Sequence, residues 1–297
     1  MRNTEEDILI IGNSRRDSLA KSDAPLQGEE NIGTIFETDG GVGRNVAENL
    51  ARLNDSVTFI TPLGDDENGR LLRKNLEAVN VKVLSPKSKL PTSVYTSISD
   101  DKGNRKLAIV DNRIIDNMKP ADLKPFESVI ASHQHIVIEA TLNEKVIDYL
   151  FKKFAGHSFY CEGVSSAYVG RLKKHLPDIY LFKSNFNEAV TMMGTEAEPE
   201  ETVQDILKEG CPNVVLSHTK LPIVYGTKGE VYHEPIVVRQ NIIRSNGVGD
   251  SLFAGIVHCL ASNVSLPKAV KFGLNMSYCT LGVDTAVDPD VDRVLNQ

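Results

Sequence analysis

The stretch DGGVGRNVAENLARLNDSVTFITPLG, residues 39–64, joins a glycine-rich turn to a helix and the helix to a strand. Val42, Val46, Ala47, Leu50, Ala51 and Leu53 fall on one helical stripe. SVTFITPLG (56–64) is a short apolar run closed by glycine, the pattern of a strand buried on both faces. Upstream, DILIIG (7–12) reads the same way. A strand, a glycine turn, a helix and a second strand in succession predict a β-α-β unit on a parallel sheet.

Outward from this unit the rhythm continues. ENGRLLRKNLEAVN (67–80) is a helix, and KLPTSVYTSISDDKGNRKLAIVD (89–111) alternates and turns at Asp100–Asn104, a hairpin signature. A hairpin set between parallel units is expected to act as a flap, and the polar span 14–40 can supply further strands to it. From residue 119 the short apolar strands HIVIEA (135–140), HSFYCEG (157–163), DIYLFKSN (178–185) and NVVLSH (213–218) return. Helical segments such as EKVIDYLFKKFA (144–155) and ETVQDILKEG (201–210) lie between them. GEVYHEPIVV (229–238) is hairpin-like, and two helices close the chain, GDSLFAGIVHCLA (249–261) and LPKAVKFGLNMSYCTLG (266–282).

The 297 residues are 41% hydrophobic and 25% charged, enough for one large domain or one domain with an insertion. A formal net charge of −7 argues against a nucleic-acid or membrane-surface partner, so an anionic substrate must be held by local groups. The opening MRNTEEDILIIG is too short and too acidic for a signal peptide or a membrane span, and a cytoplasmic location is expected. Cys161, Cys211, Cys259 and Cys279 have neither CxxC nor zinc-ligand spacing and read as structural thiols. His218 and His258 read as structural side chains.

Chemistry enters with SNGVGDSLFAGIV, 245–257. Gly247 and Gly249 let successive amides converge, and the helix that follows adds its free N–H groups and dipole, a candidate anion hole. Asp250 reads two ways, as an N-terminal cap or as a catalytic carboxylate. Gly41 and Gly43, which follow Gly40, lack the third glycine of a dinucleotide fingerprint, and the cluster lies well beyond the first strand. Asn45 behind them offers donor and acceptor to a sugar hydroxyl. In Asn185-Phe186-Asn187-Glu188, Glu188 reads either as an orienter of Mg2+-bound water or as a first-turn glutamate.

Taken in order, GGVGRNVAENLARL, TPLGDDENGRLLRKNLEAVNV, KSNFNEA and NGVGDSLFAGIVHCL resemble the PfkB (ribokinase-like) family of carbohydrate and nucleoside kinases over nearly the whole chain. Within it, GGVGRNVAENLARL and the segment ending AIVDNRI (108–114) resemble the branch acting on the 5'-hydroxyl of pseudouridine. Other ribonucleosides, free sugars and a non-catalytic nucleoside binder remain alternatives. The resemblance implies a three-layer α/β/α fold with a mostly parallel sheet, and a single domain whose β-sheet lid is formed by 13–40 and 88–115. It implies ATP and Mg2+ as cofactors and a homodimer through the lid. Asp250 is the implied base, with Gly247, Val248 and Gly249 around the transferring phosphate. Asp17, Gly41, Val42 and Asn45 are implied at the sugar, and Thr92, Tyr95 and Asp111 at the base. Asn185, Ser217, Thr219, Lys220, Asn246, Gly249 and Asn275 are implied at the nucleotide, and Glu188 at the metal.

The chain departs from the family at three places. SHTKLPIVYG (217–226) has Lys220-Leu221-Pro222 where glycines are expected, and Pro222 has no N–H to offer, so either ATP is held less tightly or Lys220 replaces the missing donors. Arg244-Ser245 stand where many members carry the Asp-Thr of a monovalent-cation site, which leaves that requirement open. Glu162-Gly163 replace an Asp-Pro, which offers Glu162 to the Mg2+ network. Arg15 and Arg16, beside the expected substrate mouth, read as a solvated pair in preference to contacts with phosphate or base.

Overall fold

A computed structural model describes residues 7–218, 221–237 and 246–296. A nine-stranded sheet runs in the order β13-β12-β11-β10-β9-β8-β1-β4-β5. Its members are β1 (Asp7–Ile11), β4 (Ser56–Ile60), β5 (Val81–Leu84), β8 (His135–Glu139), β9 (Ser158–Glu162), β10 (Ile179–Asn185), β11 (Asn213–Ser217), β12 (Ile223–Thr227) and β13 (Glu230–Glu234). All neighbours pair in parallel from β5 to β11, and the β12–β13 hairpin closes one edge antiparallel.

Helices cover both faces, and the strand sequences explain why. In β1, Ile8 and Ile10 enter one core cluster while Leu9 and Ile11 enter the other. Burial on both sides needs an unbroken apolar run, which is what DILII supplies. On the first face pack α1 (Val42–Arg52), α2 (Glu67–Glu77), α9 (Val248–Ala261) and α10 (Leu266–Thr280). The second face carries α6 (Glu144–Lys153), α7 (Phe186–Met193) and α8 (Pro199–Lys208). Three short helices also lie there, α3 (Arg113–Asp116), α4 (Pro120–Leu123) and α5 (Glu127–Ser132), which the sequence pattern did not announce. The result is the expected α/β/α sandwich.

A second sheet, β3-β2-β6-β7, is built from β2 (Arg15–Ser22), β3 (Gly33–Gly40), β6 (Ser93–Ser99) and β7 (Arg105–Asp111). It leaves the body at the end of β1 and again after β5. β1 lies between β8 and β4, so the chain winds outward in opposite directions on its two sides. A crevice opens at such a switch point, outside the carboxyl ends of the strands.

Candidate functional site

That crevice collects polar residues from many elements. Glu139 ends β8 and sits beside Glu162 at the end of β9, which in turn pairs with Lys183 of β10. Asn185 of β10 lies opposite Ser217 of β11. The N-termini of α1 and α9 meet above them. Gly41 caps α1 at φ 100°, and a Cβ there would stand 2.5 Å from the Asn13 carbonyl oxygen. Gly247 caps α9 at φ 84°, and a Cβ there would overlap the Ala286 carbonyl oxygen. Only glycine takes both the left-handed backbone and the close approach.

Asp250 is the third residue of α9, past the N-cap, a place held by Gly247. The capping interpretation of Asp250 therefore gives way. Its Oδ2 instead accepts from Asn45 Nδ2 at 2.7 Å, a bond that ties α1 to α9 across 205 residues of sequence. Burial holds its carboxyl above the usual aspartate range, while Asn45, Lys183 and Arg15 favour the charged form. Val42 is half-buried in the first turn of α1.

Arg15 and Arg16 are not a solvated pair. The Arg15 Nε donates to Asp17 Oδ1 at 2.8 Å, and its guanidinium lies 4.8 Å from the centre of the Tyr95 ring. It also feels the charges of Asp250 and Glu139. Arg16 is bonded to Asp39. Both are drawn inward because two buried carboxylates, Asp17 and Asp39, need cations on this otherwise acidic molecule.

Two residues expected to face a base are turned elsewhere. Thr92 donates to Asp66 at 2.7 Å, accepts from the Gly64 N–H and is buried, so it fastens the start of β6 to the cap of α2. Asp111 pairs with Arg113 at 2.6 Å. In register it stands opposite Val94, so the pleat puts it on the other face of the sheet from Asp17 and Tyr95. The Tyr95 hydroxyl accepts from Arg105 at 2.9 Å.

Asn185 and Glu188 take the first-turn reading of their motif. They form a reciprocal capping box at the start of α7, with Glu188 buried and its carboxyl raised by that burial. Ser217 Oγ reaches the Ser184 carbonyl at 3.4 Å. Asn246 and Asn275 are exposed, before α9 and on α10. Thr219, Lys220, Arg244 and Ser245 lie outside the described residues.

Sequence reading passed over two buried charges, Glu139 and Lys183, and offered a third, Glu162, to the Mg2+ network. Glu139 accepts from the Asn13 N–H, and burial pushes its carboxyl up to about 7. Glu162 accepts from Lys183 Nζ at 2.9 Å, and burial raises it to about 8 despite that partner. Lys183 itself is 3% exposed. The signal was present in HIVIEA and DIYLFKSN, where one charged residue interrupts the end of an apolar strand. Of the residues read as structural, His258 Nδ1 meets Asp55 at 2.8 Å, Cys161, Cys211 and Cys259 are buried thiols, and Cys279 is half-buried.

A glycine-opened helix start, an amide-held carboxylate beside it and a polar crevice next to a small sheet suit a phosphotransferase that acts on a sugar or nucleoside hydroxyl, the class that the family match shows. The chain belongs to the pfkB family of carbohydrate kinases, whose model matches residues 6–291. It is 26% identical to pseudouridine kinase of Escherichia coli over 96% of this chain and 93% of that protein. It is 24% identical to guanosine-inosine kinase of Exiguobacterium acetylicum over 91% and 92%. The structure of Arabidopsis thaliana ribokinase complexed with ribose and ATP superposes with a TM-score of 0.83 at 17% identity, covering 99% of this chain and all of that one, a likeness of fold.

Proposed function

We propose that this chain transfers the γ-phosphoryl group of ATP to the 5'-hydroxyl of a ribonucleoside, pseudouridine foremost. The observation that carries this reading is the Asn45–Asp250 hydrogen bond. It turns the carboxylate away from capping its own helix and toward the pocket of Asp17, Arg15 and Tyr95. Similarity to a pseudouridine kinase and a guanosine-inosine kinase supports a nucleoside over a free sugar. So does the Arg15–Tyr95 stack, a flat cationic wall suited to a planar base.

The residues fit a bound nucleotide. Gly249 leaves open the space that a side chain would fill beside Lys183. Among the described residues no three acids, histidines or cysteines gather as a metal cage. A divalent ion, Mg2+ by its hard-oxygen chemistry, would therefore be held mainly by phosphates, with Glu188 orienting its water. ATP, when bound, supplies the phosphoryl group, and the ion neutralises part of its charge.

The protein's part is positioning and proton handling. Asp17 and Asn45 hold ribose hydroxyls, which sets the 5'-oxygen against Asp250. The proton on that oxygen passes to Asp250 as the oxygen bonds phosphorus and the bond to the ADP oxygen breaks. The amides of Val248 and Gly249 face the charge that builds on the phosphoryl oxygens. The small sheet closes over the acceptor and keeps water from competing for the phosphoryl group.

The same reading includes a homodimer through the outer face of the lid. Ile35, Ala20, Ile98 and Leu107 stand side by side across all four of its strands, and Ile35, Ile98 and Leu107 are exposed.

ADP release measured with MgATP and a panel of nucleosides and sugars tests the assignment. Fastest turnover on pseudouridine is expected. Turnover of a free sugar alone overturns the nucleoside assignment. Calorimetric binding of a nucleoside with no MgATP-dependent turnover identifies a binder instead of an enzyme.

A further inference from the structure

Lys183 is the best-buried cation of the crevice, and its surroundings under-use it. The ammonium carries three N–H groups, yet among the described residues its hydrogen bond is to Glu162 alone, at 2.9 Å. The other Glu162 oxygen, Oε2, is buried without a partner. A buried ion pair normally recovers its lost hydration by filling its remaining donors and acceptors. This pair sits half-satisfied at the floor of the crevice, with Asp250 and Glu188 as its other charged neighbours.

The direction of the side chain is given by a glycine. Gly247 needs its residue type for a left-handed backbone, but Gly249 lies within α9 and has no such φ. Glycine inside a helix weakens it relative to alanine. What Gly249 provides is clearance: a Cβ there would stand 3.1 Å from Lys183 Nζ. The lysine thus ends against the amides of the α9 N-terminus, where a phosphate would lie. A second need points the same way. The segment SHTKLP (217–222) has Lys220-Leu221-Pro222 where the family carries glycines, and the chain as a whole is negative, so phosphate charge must be met from within the site.

We propose that Lys183 contacts the terminal phosphoryl group of the bound nucleotide, that Glu162 holds the lysine in place until then, and that position 249 is glycine to leave the lysine its path. The proposal rests on the kinase reading above. It assigns Glu162 to the lysine and removes it from the metal network.

The test compares calorimetric affinities for MgADP and for the Mg2+ complex of the β,γ-imido analogue of ATP, neither of which requires turnover. Lys183→Met is expected to weaken the analogue by about tenfold or more, the loss of one charged hydrogen bond, and ADP far less. Because Lys183→Met leaves Glu162 buried and unpaired, the pair Lys183→Met/Glu162→Gln is measured beside it and is expected to show the same selective loss. Gly249→Ala should reproduce that loss, and adding it to Lys183→Met should cost little more, since both remove one contact. Equal losses for ADP and the analogue would show that Lys183 only balances Glu162, and full affinity in Gly249→Ala would overturn the part given to the glycine. Wild-type protein that binds neither nucleotide would sink the kinase reading along with this one. Wild-type turnover with unselective losses would sink the lysine assignment alone.

Discussion

Glu139→Gln tests the electrostatics of the crevice without reference to any substrate. Burial lifts the Glu139 carboxyl from its ordinary 4.5 to about 7, against the pull of the Asn13 N–H and Arg15. Folded protein therefore holds this proton more tightly than unfolded chain does. Between about pH 4.5 and pH 7 the unfolded chain releases it while the folded protein keeps it, so stability falls as pH rises through that window. A difference of roughly 2.5 units at 1.36 kcal/mol per unit makes the total loss about 3 kcal/mol, complete above pH 7 and absent below pH 4.5. Glutamine is neutral throughout and cannot show it. Its amide also meets a position where Glu139 Oε2 has no partner, a pH-independent cost of about 1 kcal/mol. The slope of the difference, not its offset, is then the readout. Urea unfolding of both proteins at pH 5, 6, 7 and 8.5 gives the curves. The variant is expected to gain on wild type as pH rises and to level off above pH 7. Other raised carboxyls in the crevice, such as Glu162 and Glu188, are present in both proteins and largely cancel. Parallel curves would show that Glu139 is already ionised in the folded state, and the burial argument would fail.

Two further outcomes follow from the site and the lid. Asp250→Asn keeps the shape but removes the proton acceptor, so kcat in a MgATP-coupled assay should drop by about 10²–10⁴-fold with little change in nucleoside affinity; unchanged turnover would refute its role as the base. Ile98→Lys, at the centre of the exposed apolar row, should convert a dimer to a monomer in sedimentation velocity, and a wild-type monomer at micromolar concentration would remove the lid interface.

How much of this was legible depends on distance along the chain. The strand DILII and the helix at 42–53 followed from spacing alone, because alternation and helical stripes are local records of what each residue buries. The flap at 89–111 was readable for the same reason. Where Thr92 and Asp111 point was not legible, because a side chain's direction depends on partners that the local pattern does not contain. Asp66, at the cap of α2, took Thr92, and register against Val94 turned Asp111 to the other face. Arg15 looked solvated until Asp17 and Tyr95, on two strands brought together by the small sheet, enclosed it.

The sequence by itself determined the layers of the fold, the two glycine-opened helices and the short list of chemistry-bearing residues, since period and glycine position act over a few residues. Only the tertiary structure decided where the Asp250 carboxylate points. A carboxylate three residues into a helix is free to cap it or to face a pocket, and Asn45, 205 positions away, set the choice by offering a hydrogen bond across the crevice. It decided equally that Lys183 and Glu162 share one buried site, because parallel strands place side by side residues that no local pattern connects.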